Sequence, residues 1–520
     1  MPMGSFLRIM KTSTPEETTF SVYLWGHGKS KGAKFSRRQC ERLFLGDCTR
    51  RRAKMPERSA RGAEHRGMCP CPDGGADDRG RVRRTPMLSR RRFLAFLATL
   101  AAAPVFSGCA VNPVTGRNQL MLVGEDDEIA MDRRQSPQQF SADFGPVQDA
   151  ALNAYVTEVG LAVARQSHRP QMPYSFRVVN APYANAYAFP GGSIAVTRGI
   201  LARLESEDEL AALVGHEIGH VSARHTAARL SSGTVLSVVL GGAAAALGAA
   251  KPGLQDVAGD VAGLGAGILL AKYSRDDERE ADSLGMAYMV AAGYSPQGMV
   301  DLMAMLRGLS TREPGLVEIL FATHPMSDER FAQAVSLARQ RYAAALSRPR
   351  RREPFAAATA RLRAQLPALE RLEAAQRALG NKQPAQARAL CQQALSILPD
   401  DYAALVLLAR AELAADAPQA AVQTAQRARA VYPSEAQGIL VHGLAAVRLR
   451  RFAEAVHDFT QALQLLPADP TPMFWRGYAL EAMGDRQAAA QDYYRYLQQG
   501  PSGPQAKYAL RRLKEWRYVR

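Results

Sequence analysis

Two histidines, His216 and His220, stand four residues apart, with Glu217 directly after the first. Four residues are just over one helical turn, so on a helix both imidazoles project from one face toward one point. Residues 207–228 read as such a helix. Leu210, Leu213, Val214, Ile218 and Val221 recur at three- and four-residue spacing, and Glu207, Asp208 and Glu209 fill the first turn. Two neutral imidazoles suit Zn²⁺, and a glutamate beside them suits the proton transfer that zinc-activated water requires. The pattern implies metal-assisted hydrolysis, with one zinc per chain and Glu217 as general base.

Such a site needs a third protein ligand. A histidine six residues beyond His220 would be the nearest source, but position 226 is Thr, and position 223, where that arrangement needs Gly, is Ala. His225 is one residue off and reads as a helix-surface histidine. Downstream, Tyr273-Ser-Arg-Asp-Asp-Glu278-Arg-Glu280-Ala-Asp282 opens a second helix expected to run to about Ala292. Glu278 and Asp282 share a face of it. One completes the ligand set while the other holds a ligand histidine by its distal N–H. Glu280 points about 200° away from Glu278 and is the weaker candidate.

With these residues in view, the stretch from about Val111 to Arg330 resembles the gluzincin peptidases of the HtpX and CAAX-prenyl-protease type, in particular their soluble periplasmic members. Four matches carry the resemblance: the opening Asn112-Pro-Val-Thr-Gly-Arg-Asn-Gln-Leu-Met-Leu-Val123, the strand Asn185-Ala-Tyr-Ala-Phe-Pro-Gly-Gly192, the G-H-E-x-x-H helix and E-x-x-x-D. It implies a zincin-like α+β domain, mostly α. It makes Glu278 the third zinc ligand beside His216 and His220, and Asp282 the orienting aspartate. His324-Pro-Met-Ser-Asp-Glu-Arg330 matches the family's H-P-x-x-x-x-R element. That places His324 at the zinc, as a fourth ligand holding the enzyme latent or as a donor to the oxyanion, with Arg330 in the same catalytic element. The bland alternative is a helix-capping His-Pro turn.

Residues 185–197 alternate apolar and polar positions around a Pro-Gly-Gly turn. By analogy with other zinc peptidases, Asn185, Ala186 and Tyr187 would bind substrate as an edge strand by β-augmentation; a purely structural hairpin is the alternative. Between the two motif helices, 230–250 is uncharged and a second apolar run covers 261–271. Small residues and the intervening Lys251, Asp256 and Asp260 favour a packed helical hairpin or a flap over a membrane span.

The C-terminal third is repetitive. Pro399, Pro433, Pro467 and Pro501 are 34 residues apart. In the same frame small residues recur at Ala375, Ala409, Gly443 and Gly477, at Ala387, Ala421, Ala455 and Ala489, and at Ala394, Ala428 and Ala462, where Tyr496 breaks the series. A 34-residue period of this kind is that of tetratricopeptide (TPR) helix pairs, small where helices touch and ended by proline. The chain should therefore end in an all-α solenoid over 366–520, reached through a basic, proline-containing linker at 346–365.

The net charge of +17 does not point to nucleic acid. Residues 1–86 hold +10 of it and Arg90–Arg92 three more, leaving +4 from Cys109 onward. From Met87 a basic cluster, Ser89-Arg-Arg-Arg-Phe-Leu94, precedes an uncharged run ending in Phe106-Ser-Gly-Cys109. The first element fits twin-arginine export and the second resembles a bacterial lipobox, so 87–109 reads as a signal peptide and Cys109 as the lipidated residue. Residues 1–86, without hydrophobic periodicity and ahead of a complete signal, read as a disordered leader or a mis-assigned start. Of six cysteines four lie in that leader, so no intrachain disulfide is expected. Ala110, where aspartate would favour the inner membrane, hints at the outer one.

The peptidase domain is thus expected over 110–345. Joined to a TPR array it resembles periplasmic proteases of the β-barrel assembly-enhancing type, while the lipobox and the NPVTG opening are closer to lipid-anchored relatives. The implied role is zinc-dependent endoproteolysis of misfolded or misassembled envelope proteins, with the TPR array docking on the outer-membrane assembly machinery and no nucleic-acid partner. The rival is a TPR adaptor or chaperone whose zinc site, held shut by His324, is structural.

Overall fold

The structure, a computed structural model, describes residues 7–14, 17–24, 31–35, 109–231, 273–312, 318–501 and 503–519. Residues 87–108 of the expected signal segment 87–109, and residues 232–272 between the motif helices, lie outside these. Among the described residues no helix is long and apolar enough to cross a membrane.

Within the segment expected to be a disordered leader, β1 (Leu7–Thr14), β2 (Glu17–Leu24) and β3 (Lys31–Phe35) pair as an antiparallel sheet in the order β1-β2-β3. The alternation Phe20, Val22, Leu24 is the period-two pattern that the reading of that segment missed.

The peptidase region opens with a hairpin of β4 (Cys109–Val111) and β5 (Asn118–Leu120), in which Cys109 pairs with Leu120. Helices α1 (Glu125–Ala142) and α2 (Ala150–Ala164) lead into a three-stranded sheet. Its strands are β6 (Ser175–Val179), β7 (Ala186–Ala188) and β8 (Ser193–Thr197), ordered β6-β8-β7, with β8 parallel to β6 and antiparallel to β7. The turn between β7 and β8 needs Gly192 at φ 100°. The expected hairpin is present, with β7 as an edge strand, but the half-exposed alternation is not: 181–192 is buried throughout. One side of β7 packs on the motif helix, and Phe140 of α1 meets Tyr187 and Phe189 from the other.

A single turn, α3 (Arg198–Leu201), precedes the first motif helix, α4 (Glu207–Ser222). The second motif helix is α5 (Arg275–Ala291), followed by α6 (Gln297–Arg312), α7 (Glu318–Thr323) and α8 (Asp328–Gln340). Val156, Phe176, Ile194, Ile200, Leu210, Val214 and Met286 lie in one buried core beneath the sheet and α4.

The expected linker is not a linker. Residues Arg352–Ala364 form α9, whose Phe355, Thr359 and Leu362 are buried against α2 and α4. Spaced four and three residues apart, they make a buried stripe that the basic composition hid. The solenoid then runs α10 (Leu366–Gly380), α11 (Pro384–Ile397), α12 (Tyr402–Ala414), α13 (Pro418–Val431), α14 (Ala436–Arg448), α15 (Phe452–Leu465), α16 (Pro470–Ala482) and α17 (Arg486–Gln498), closed by α18 (Pro504–Glu515).

Peptidase and solenoid share a buried junction. Phe144, just past α1 at φ 66°, sits in the solenoid core with Tyr402, Leu405 and Val441. Ser141 donates to Glu435, and Arg198 pairs with Asp401, Nη2 to Oδ1 at 2.9 Å. Helix α12 is buried without interruption from Tyr402 to Ala409, and α14 from Ala436 to Gly443.

Candidate metal centre

Helix α4 is positioned before its histidines are reached. Ser206 caps it by accepting from the Glu209 N–H, and Asp208 accepts from the backbone N–H groups of Ser295 at 2.7 Å and Arg351 at 2.9 Å. Gly215 and Gly219 face α5. A Cβ on Gly219 would lie 2.9 Å from the carbonyl oxygen of Ala281, and one on Gly285 would lie 2.7 Å from the nitrogen of His216. The two helices thus touch backbone to backbone, which sets the Glu278 and Asp282 carboxylates against the α4 imidazoles.

His216, His220, Glu278 and His324 each offer one donor atom, all within 4.8 Å of one another, and all four residues are buried. His216 Nε2 is 3.1 Å from His220 Nε2 and 3.3 Å from His324 Nδ1. Glu278 Oε1 is 3.5 Å from His220 Nε2 and 3.0 Å from His324 Nδ1. Zinc bonds of about 2.0–2.1 Å in a tetrahedron imply donor separations of about 3.3 Å, so this set has the dimensions of a zinc site. The donor chemistry agrees. His216 Nδ1 lies 2.9 Å from Asp282 Oδ1, and with its proton there the Nε2 lone pair is left to face the other donors.

Arg330, at the start of α8, donates to both oxygens of Asp282 and brings Nη1 to 2.7 Å from Glu278 Oε2. Glu217 is buried; its Oε1 is 3.8 Å from His324 Nε2, and among the described residues its Oε2 has no hydrogen-bond partner. Tyr273 stacks on His220 with ring centres 3.8 Å apart.

Burial alone would raise the pKa of Glu278, but hydrogen bonds from His220 and His324 and the surrounding imidazoles hold it well below the carboxylate range. Asp282 is likewise lowered: burial is outweighed by Arg330 and His216. Burial drives His220 well below the ordinary imidazole value. It also works against protonated His216, where Asp282, Glu278 and Glu217 prevail and the pKa is raised.

Of the residues singled out from sequence, the structure brings together His216, His220, Glu217, Glu278, Asp282, His324 and Arg330. Asn185 sits just before β7, its N–H donating to Thr197 Oγ1 and its Oδ1 without a partner among the described residues; Ala186 and Tyr187 lie in β7, which packs on α4. Cys109 begins β4 and is not among the residues of this cluster. One expectation is corrected. The helix predicted to reach 228 is interrupted after Ser222, where Arg224 turns left-handed (φ 57°) and donates to Glu128 Oε1 and the Val123 carbonyl, and helical backbone resumes over 225–231. His225 therefore opens a helical segment out of phase with α4 and is buried, its Nδ1 2.9 Å from His220 Nδ1 and its Nε2 3.3 Å from Glu280 Oε2. Sequence reasoning also passed over Tyr273 and Gly285; only the small residue opposite Gly215 hinted at the latter.

Residues 150–338 match peptidase family M48, and residues 378–444 and 440–504 match tetratricopeptide repeats. The chain is 29% identical over 199 residues to a β-barrel assembly-enhancing protease of Yersinia pestis, covering 37% of this chain and 40% of that one. It is 30% identical over 158 residues to metalloprotease YcaL of Escherichia coli K12, covering 30% of this chain and 59% of that one. It is 31% identical over 178 residues to mitochondrial metalloendopeptidase OMA1 of Schizosaccharomyces pombe, covering 34% of this chain and 50% of that one. The similarity spans about two fifths of the length of the assembly-enhancing proteases.

Proposed function

We propose, from the premise that the chain carries a peptidase family M48 domain followed by tetratricopeptide repeats, that it is a zinc-dependent endopeptidase acting on misfolded or misassembled envelope proteins. The observation that carries this reading is the buried set His216, His220, Glu278 and His324, with a Glu217 oxygen beside it that has no partner among the described residues. Zinc held there would acidify a water and polarise a peptide carbonyl.

The chain's own groups do the rest. Glu217 takes the water's proton at its free oxygen and passes it to the leaving amine. Asp282 keeps the His216 proton on Nδ1, and Arg330 holds Asp282. The edge of β7, Asn185 to Tyr187, aligns an extended substrate through main-chain hydrogen bonds.

Catalytic zinc sites keep one position open, and four protein donors leave none. His324 is therefore the latch, and it withdraws when the enzyme is active. Supported by the export signal and lipobox, Cys109 carries the lipid anchor and the protein works in the periplasm, at the outer membrane. The solenoid docks partner proteins, the assembly machinery among them, a choice favoured by the similarity to β-barrel assembly-enhancing proteases. Closure by His324 is also what a structural zinc site in a TPR adaptor would show, and that adaptor is the second reading.

The deciding measurement is zinc per chain together with cleavage of unfolded casein. One zinc and cleavage in wild type, with Glu217→Gln binding zinc but losing about 10²–10⁴ in rate, fits the peptidase. Cleavage seen only in His324→Ala means a latent enzyme. Zinc binding with all three forms inert means the adaptor.

A further inference from the structure

The two α4 histidines are held differently. His216 Nδ1 meets a carboxylate directly, whereas His220 Nδ1 meets another ring nitrogen, Nδ1 of His225, at 2.9 Å. Two imidazole nitrogens at that distance form a hydrogen bond only if one carries the proton and the other offers a lone pair. To present Nε2 to a metal, neutral His220 must carry its proton on Nδ1, which makes His225 Nδ1 the acceptor. Neutral His225 then has its proton on Nε2, and that atom faces Glu280 Oε2 at 3.3 Å, with Asp277 Oδ1 at 3.8 Å. Each step fixes the next.

We propose that His225 and Glu280 are positioning residues that act through one another: Glu280 selects the His225 tautomer, and His225 selects the His220 tautomer that can bind metal. This rests on the zinc reading of the site. Glu280 points away from Glu278 on α5, so it cannot join the ligand set, but it reaches the flank of His220 through the intervening ring. The left-handed turn at Arg224 is what swings His225 into that gap, and Tyr273, stacked on His220, covers the ring's face. The Glu280 side chain stays about a third exposed while His225 is buried, so the relay runs from the rim of the fold to the metal site.

The test is zinc affinity, by competition with a chelating fluorophore, in the full protein. His225→Ala should weaken binding by about 10–100-fold, the usual effect of losing a group that orients a ligand. His225→Asn keeps an acceptor oxygen near the old Nδ1 position and should restore most of the affinity. Glu280→Gln should weaken zinc binding several-fold in wild type but have no effect on top of His225→Asn, where no tautomer is left to select. Nitrogen chemical shifts of the zinc-free protein should show His220 protonated at Nδ1 in wild type and mixed in His225→Ala. Unchanged affinity in His225→Ala, or a Glu280→Gln effect equal in both backgrounds, overturns the relay while the zinc reading stands. A wild type that binds no zinc overturns the zinc reading, and the relay falls with it.

Discussion

Arg330 holds Asp282 by both oxygens, Nε to Oδ2 and Nη2 to Oδ1, each at 2.7 Å, and the same Oδ1 lies 2.9 Å from His216 Nδ1. The guanidinium thus fixes the carboxylate that fixes the imidazole. Lysine carries the charge but not the planar two-donor fork. Arg330→Lys is expected to lower zinc affinity by about 10–100-fold with the far-ultraviolet circular dichroism spectrum retained. Wild-type affinity in that variant would show that charge alone suffices.

Gly285 is where α4 and α5 approach most closely. A Cβ there meets the His216 nitrogen at 2.7 Å and the Gly215 carbonyl carbon at 2.8 Å, and neither backbone atom can step aside alone. Gly285→Ala is expected to cost about 1–3 kcal/mol in urea unfolding, as overpacking does, and to reduce zinc per chain by separating Glu278 from the histidines. Gly308, also helical but with nothing within 4 Å of its would-be Cβ, is the control. Alanine there should leave zinc unchanged and hold or slightly raise stability, by up to about 1 kcal/mol. Equal behaviour of the two variants would remove the close approach as an explanation.

Glu435 gives the junction a pH dependence of known sign. Burial raises its pKa, against hydrogen bonds from Ser141, Tyr402 and the backbone N–H groups of Gln437 and Ala436. Arg410 and Tyr432 lie within electrostatic reach of it. The folded state therefore binds its proton more tightly than the unfolded chain, where glutamate titrates near about 4.3. Stability should rise as pH falls through the raised value and level off below the unfolded one. Asp143, raised by burial despite the Tyr183 and Tyr187 hydroxyls, acts in the same direction. Melting temperatures from pH 8 to pH 5 should climb more steeply in wild type than in Glu435→Gln. Parallel curves would mean that Glu435 titrates alike in both states.

Much of this architecture was legible in spacing. A four-residue interval puts His216 and His220, and again Glu278 and Asp282, on common helix faces whatever the surroundings, because the helical repeat is a local property. The 34-residue recurrence of proline and small residues announced the solenoid for a similar reason: each repeat contacts its neighbours in one frame. Helix α9 escaped because its three buried side chains stand among the six arginines of residues 346–365. His225 escaped because its helical phase was projected through Arg224, where a left-handed residue breaks the phase.

What the sequence by itself determined is the kind of chemistry and the list of elements: which side chains could ligate a metal, which helices carry them and how many repeats follow. Only the tertiary structure decided how those elements meet. The backbone contact of α4 with α5, the approach of His324 from a turn a hundred residues away, the His220–His225–Glu280 chain and the seat of Phe144 in the solenoid all join residues remote in sequence or separated by a reset of backbone phase. Periodicity reports which face of an element is buried, but the partner on that face is chosen by three-dimensional packing, and that information is not local.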